Sequence, residues 1–156
     1  YFGIKHVKWL TAIEPVDYDF RGYWQRRGWT DVPGVKTFSR FDIPRSRTQA
    51  FGSSVTLGGV AFTGNRGVSN VEVSADEGET WQQADRISEP LSPYTWVIWT
   101  KQFTPALPGK VKLRVRATDG SGNIQTPERT DSIPSGASGH HQIRVEFPGG
   151  DAGSTG

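Results

Sequence analysis

Residues 71–81, VEVSADEGETW, alternate: Val71, Val73 and Ala75 share one parity, and Glu72, Ser74 and Asp76 the other. A period of two predicts a strand with one wet face. Glu77-Gly78-Glu79 then turns the chain, with Gly78 free to take a positive φ, and Thr80 and Trp81 start a return strand. Trp81 is too large to leave exposed cheaply and is expected to plug the core. The clearest alternation is in residues 110–119, where Val111, Leu113, Val115 and Ala117 point one way and Lys110, Lys112, Arg114 and Arg116 the other. Residues 54–63 read as a strand with Val55, Leu57 and Ala61 on one face and Val60 and Phe62 on the other, and Gly58-Gly59 predicts a bulge or a close backbone approach.

Further strands are predicted over residues 35–43, ended by Pro44, and over 94–104, ended by Pro105. In the latter, Val97, Trp99 and Phe103 form the larger apolar set and are assigned to the core, which leaves Trp96 and Ile98 on the outer face. In the last strand His141, Ile143, Val145 and Phe147 alternate with His140, Gln142, Arg144 and Glu146. Turn-rich stretches separate these runs, and no helical period of useful length interrupts them. About seven strands at this spacing predict an all-β immunoglobulin-like (E-set) sandwich with an irregular N-terminal extension.

That extension, residues 1–29, holds Trp9, Trp24 and Trp29, together with Tyr1, Tyr18 and Tyr23. Residues 5–13 can be read as a strand, after which Pro15 and Gly22 break regular structure. Its aromatic load needs a surface to cover it.

Length and composition narrow the function. At 156 residues the chain is long enough for one domain with a sizeable core, and its 19 Gly and 10 Pro suit many turns. Eighteen basic against 16 acidic residues give a formal charge of only +2, against a dedicated nucleic-acid binder. There is no Cys, so no disulfide and no thiolate nucleophile or metal ligand. No apolar run approaches the ~20 residues that span a bilayer. The chain begins mid-motif, as a fragment of a longer protein would.

Candidate chemistry is sparse. Nothing resembles a strained nucleophile turn. His140 and His141 are neighbours on a strand, point to opposite faces and cannot chelate one ion together. The stripe Lys110, Lys112, Arg114, Arg116 could hold a polyanion, but Glu72 and Glu146 on neighbouring strands offer ordinary cross-strand partners. Lys5-His6-Val7-Lys8 is the most suggestive cluster, since a terminal phosphate wants positive charge and backbone N–H donors. The plain alternative there is a solvated basic strand end.

VEVSADEGETWQQA resembles the VEVS-x-D-x-G-x-TW-x-x-A signature of the C-terminal domain of sulfite-oxidase-type molybdenum oxidoreductases. Gly59-Val60-Ala61-Phe62 is similar to that family's GxA-aromatic strand, Gly67-Val68 to its bulge, and Trp96 with Trp99 to its W-x-x-W strand. Ala117-Thr118-Asp119 through Asn123-Ile124-Gln125 resembles its A-x-D-x-x-x-N-x-Q turn, and residues 3–10, GIKHVKWL, its G-x-[KR]-S-V-K-W-L stretch. The likeness runs from Gly3 to about Val145.

The resemblance implies a dimerisation domain of a molybdopterin-dependent oxidoreductase, itself catalytically inactive when separate. It divides the chain into residues 1–29, the tail of the preceding molybdopterin-binding domain plus connector, 30–147, the dimerisation domain, and 148–156, a flexible tail. Carried over, Lys5, His6, Val7 and Lys8 would contact the cofactor, with His6 replacing the usual Ser. The family's metal is held by a cysteine from the catalytic domain, so no molybdenum is expected in this chain alone. Sulfite oxidases proper place a substrate-binding Arg in the loop before the last strand; here Ser132 or Ile133 falls there, with Arg129 nearby. A homodimer with Trp96 and Ile98 at or near the contact is expected, alongside the parent's catalytic domain as a partner and a location outside the bacterial cytoplasm. The competing reading is a free-standing extracellular binding or adhesion module, which has no need of the KWL stretch before its first strand.

Overall fold

The computed structural model describes residues 6–32, 34–86 and 88–149. Among the described residues, eight strand segments follow a 3-10 turn, Gln25–Arg27: β1 (Phe38–Ile43), β2 (Val55–Phe62), β3 (Val68–Ser74), β4 (Gln82–Gln83), β5 (Asp85–Arg86), β6 (Val97–Phe103), β7 (Gly109–Asp119) and β8 (His141–Phe147). They form two antiparallel four-stranded sheets, in the orders β1-β2-β6-β5 and β4-β3-β7-β8. β4 and β5 are one strand that changes sheets at the buried Ala84, whose N–H donates to Val71 O. Counted so, the sandwich has the expected seven strands.

The inward parity of each strand builds the core. Phe41, Leu57, Ala61, Val97 and Trp99 of one sheet face Val71, Val73, Leu113, Val115, Ala117, Ile143, Val145 and Phe147 of the other. Trp99 is fully buried and meets Phe41 edge-on at 5.4 Å between ring centres. This matches the assignment of Val97 and Trp99 inward, and Trp96 and Ile98 are exposed as expected.

Gly58-Gly59 produces both features anticipated for it. β1 slips register opposite these glycines, between Phe41 and Ile43. A Cβ at Gly59 would lie 1.9 Å from Arg40 O, a separation no side chain tolerates, so glycine there lets β1 approach.

Several expectations are corrected. Residues 6–13 form no strand and lie exposed. Pro15 would interrupt a ladder there, and among the described residues no strand pairs with the stretch. The strand at 94–104 starts only at Val97, because Ser92 and Thr95 close a turn just before it: Thr95 N donates to Ser92 O at 3.0 Å and Thr95 Oγ1 to the same oxygen at 2.7 Å. The return strand after residues 71–79 starts at Gln82 rather than Thr80 and pairs with β3 only through Gln82 and Gln83 before it crosses to the other sheet.

Trp81 is not a core plug. It lies half-buried outside the β4-β3-β7-β8 sheet, with the Arg116 guanidinium over its ring at 4.1 Å and His140 edge-on at 5.2 Å. The turn holds it there, its Nε1–H donating to Gly78 O at 3.0 Å. The basic stripe is paired as expected through Glu72, which Arg116 meets at 2.8 Å. The second acid is Glu77 of the turn, which meets Lys112 at 2.8 Å and Arg114 at 3.4 Å.

Candidate functional site

The residues that make the sequence distinctive do structural work. In the 74–81 turn, Ser74 Oγ donates to Asp76 Oδ1 at 2.7 Å and accepts from Gly78 N at 2.8 Å. Asp76 also accepts from the N–H and hydroxyl of Thr80. The Thr80 bonds, hydroxyl first, hold the Asp76 carboxyl well below the usual carboxylate range. Glu77 and Gly78 both take positive φ, 63° and 101°. Serine, aspartate, glycine and threonine are therefore required at these spacings to close the turn, and Trp81 caps it.

The second motif locks the end of β7 to the opposite sheet. Asp119 is buried, and burial alone would raise its pKa. Bonds from the Asn123 and Ser121 backbones, the Asn123 amide and Arg66 overcome this and lower it. Arg66 meets Asp119 Oδ2 at 2.7 Å and donates onward to Val35 O and Thr37 Oγ1. Gln125, also buried, accepts from Ser39 Oγ at 2.8 Å and Ala117 N at 3.1 Å, and donates to Gly139 O at 2.9 Å. One amide thus ties β1, β7 and the 126–139 loop together.

That loop is itself well anchored. Lys36 Nζ donates to Gly136 O, and Thr30 N to Pro134 O at 3.0 Å. Beside it lies an open cleft lined by Arg114, Arg129, Thr130, Ser132, His140 and His141, among others. Ile133, the other residue aligned with the family's substrate-binding Arg, is half-exposed outside the cleft lining.

The two histidines separate as their parity requires. His140 Nε2 sits 3.0 Å from Gln125 O and must carry the proton to donate there. His141 Nδ1 accepts the Phe41 backbone N–H at 3.1 Å and must be bare. Burial lowers both pKa values, reinforced by Arg116 and Arg114 around His140 and by Arg47 and Arg40 around His141.

The remaining predicted site residues fall in two places. Lys5 lies outside the described residues; His6, Val7 and Lys8 are exposed in irregular chain. Trp96 (63 % exposed) and Ile98 (40 %) lie on the outer face of β1-β2-β6-β5. The structure adds three residues to that face, Phe38, Val60 and Phe62, through the pairings Phe38↔Phe62 and Val60↔Ile98. The alternation had grouped Val60 with Phe62 on one face of their strand, but that this face is the outer one, and that β2 pairs with β6, could not be read from it.

Among the described residues no group of three or more His, Cys, Asp or Glu is placed to hold a metal. With no thiolate in the chain either, the donor set does not fit molybdenum.

Known proteins give a consistent answer. Sulfite oxidase, mitochondrial, of Rattus norvegicus is 30% identical, the match covering 79% of this chain and 27% of that protein. The Homo sapiens counterpart gives the same figures, and sulfite oxidase of Arabidopsis thaliana is 23% identical over 84% of this chain and 40% of its own. The chain therefore spans between about a quarter and two fifths of the length of these relatives. Among solved structures, the sulfane dehydrogenase SoxCD of Paracoccus pantotrophus shares the fold, with a TM-score of 0.59 and 19% identity over 71% of this chain and 30% of that one. A family model described as the Mo-co oxidoreductase dimerisation domain matches residues 44–146. By that match and the identity with the sulfite oxidases, the chain belongs to the dimerisation-domain family of sulfite-oxidase-type molybdenum-cofactor oxidoreductases.

Proposed function

We propose that this chain holds two copies of its parent oxidoreductase together and, through its N-terminal stretch, closes part of the molybdenum-cofactor pocket. The family match over residues 44–146 supports the assembly part of the reading. In it, residues 30–147 are the dimerisation unit, residues 1–29 join it to the catalytic domain, and 148–156 form a tail. The exposure of Trp9 (94 %), Leu10 and Ile13 supports a covered position for the stretch in the longer protein, since so much bare apolar surface is costly in water. Lys5, His6, Val7 and Lys8 would sit at the cofactor's phosphate, supplying charge and backbone N–H groups rather than metal ligands. Trp96 and Ile98 would lie at or near the contact between copies.

Light scattering of the purified chain across a concentration series tests the assembly role. A concentration-dependent dimer is expected, and a monomer at every concentration overturns it. In the longer protein, Lys5→Ala with Lys8→Ala should lower the pterin content, read from the fluorescence of the oxidised pterin, while leaving the oligomeric state unchanged. Full pterin content would remove the stretch from the pocket.

A further inference from the structure

We infer that the homodimer contact is the outer face of β1-β2-β6, centred on Val60 and formed by Phe38, Phe62, Trp96 and Ile98 around it, with a second copy of this chain as its occupant. The inference rests on the assembly role proposed above and names its surface.

Four of the five side chains come from three neighbouring strands at one end of the sheet, and the fifth, Trp96, directly precedes β6. Val60 is paired with Arg40 on one side and Ile98 on the other. Phe38 and Phe62 are paired and stack edge-on at 6.1 Å. Trp96 extends the line of β6 beyond Val97, whose register partner is Ala61, and so comes level with Phe62. Phe38, Trp96 and Ile98 are exposed, and Val60 and Phe62 half-exposed. The other end of the same face is polar: Gln102 Nε2 donates to Thr56 Oγ1, and Ser54 Oγ to Gln102 Oε1. Apolar character is thus confined to a patch, as at a docking surface, rather than spread along the strands.

Two observations select the occupant. The N-terminal extension was the other available cover, yet with residues 6–32 in place the patch stays open. The charge at the rim is balanced, since Arg40 and Asp42 of β1 pair at 3.0 Å with both side chains about half exposed. A partner of one charge sign would find no complement in such a rim. A two-fold copy does, because Arg40 can reach the partner's Asp42 and the reverse.

Val60→Asp places a charge at the centre of both halves at once. It should raise the dimer dissociation constant by at least ~100-fold, while the same change at the exposed Leu107, beyond the polar end of β6, leaves it within about threefold. Trp96→Glu, which lies outside the strand ladder, should act like Val60→Asp and guards against a fold effect read by near-UV circular dichroism. A wild-type monomer would overturn the assembly reading and this inference together. A wild-type dimer unaffected by either folded variant would leave assembly standing and overturn this surface.

Discussion

Two tryptophans show what can be read from single residues and what cannot. Size alone argued that Trp81 should be interior, and by size it was indistinguishable from Trp99. What separates them is the polar atom. Trp81 Nε1–H is spent on Gly78 O within its own turn, which pins the ring outside the sheet, where Arg116 covers it. Trp99 sits on the strand's inward parity between Phe41 and the opposite sheet. Parity was legible in the sequence; the turn's demand for that N–H was not. Trp99→Ala should therefore cost ~3–5 kcal/mol, as for other large core truncations. Trp81→Ala should cost only about 1–2 kcal/mol, from one hydrogen bond and one cation–π contact. Urea unfolding of the two variants checks this, and equal losses would return Trp81 to the core. The motif residues Ser74, Asp76, Asn123 and Gln125 give the same lesson: their spacing identified the family, while their work is to satisfy backbone and side-chain donors.

At the level of elements, existence and facing were read well within the sandwich, though not at residues 6–13, and ends less well. β7 and β8 announce themselves by alternation, and their observed bounds are close to the predicted ones. β6 begins three residues late because a side-chain-supported turn at Ser92–Thr95 outcompetes the ladder, and hydrophobic pattern carries no signal for that. The glycine pair was the most informative local cue. Gly59→Ala would drive a Cβ into Arg40 O, so β1 must detach or the variant loses on the order of 3 kcal/mol or more. A denaturant midpoint equal to wild type would show that β1 can yield without cost. β1 is also joined to β8 by the Phe41 N–H to His141 Nδ1 bond. Protonation of His141 removes that acceptor. Its folded pKa is lowered by burial and by Arg47 and Arg40, with Asp42 opposing, and that of His140 is lowered by burial and by Arg116 and Arg114. The unfolded chain therefore takes up these protons first, and stability should fall as pH drops through about 6.5 toward the lower folded-state values. The lowered carboxylates Asp76, Glu77 and Asp119 act in the same direction only near and below pH ~4, where unfolded carboxylates protonate. Replacing both histidines with glutamine should flatten the stability profile between pH 7 and 5, and an unchanged slope would assign it elsewhere.

The whole molecule combines a closed sandwich with an open extension, and the two differ in what holds them. The sandwich has a continuous core and a lock at each end, the Asp76 turn and the Asp119–Gln125 network. In the extension, Tyr18 and Phe20 are exposed like Trp9 before them. Regular structure begins only near the 3-10 turn, where Gln25 is buried, Trp24 meets Trp29 at 6.4 Å, and Thr30 N reaches Pro134 O. The sequence marked this segment as different through its aromatic load, yet could not say which of its residues belong to the sandwich, since tryptophan is used on both sides. The contacts make that division. Removing residues 1–20 should move the thermal midpoint by no more than about 2 °C, because residues 6–20 lie exposed, and should improve solubility. Removing residues 1–29 takes away the buried Gln25 and the Trp24–Trp29 contact, and should lower the midpoint by several degrees, at roughly 4 °C for each kcal/mol lost in a domain of this size. The order of the two midpoints is the discriminating readout. If the shorter deletion already costs as much as the longer one, the extension packs on the sandwich along its whole length, and the aromatic stretch is part of this domain rather than the surface proposed above to be covered in a longer protein.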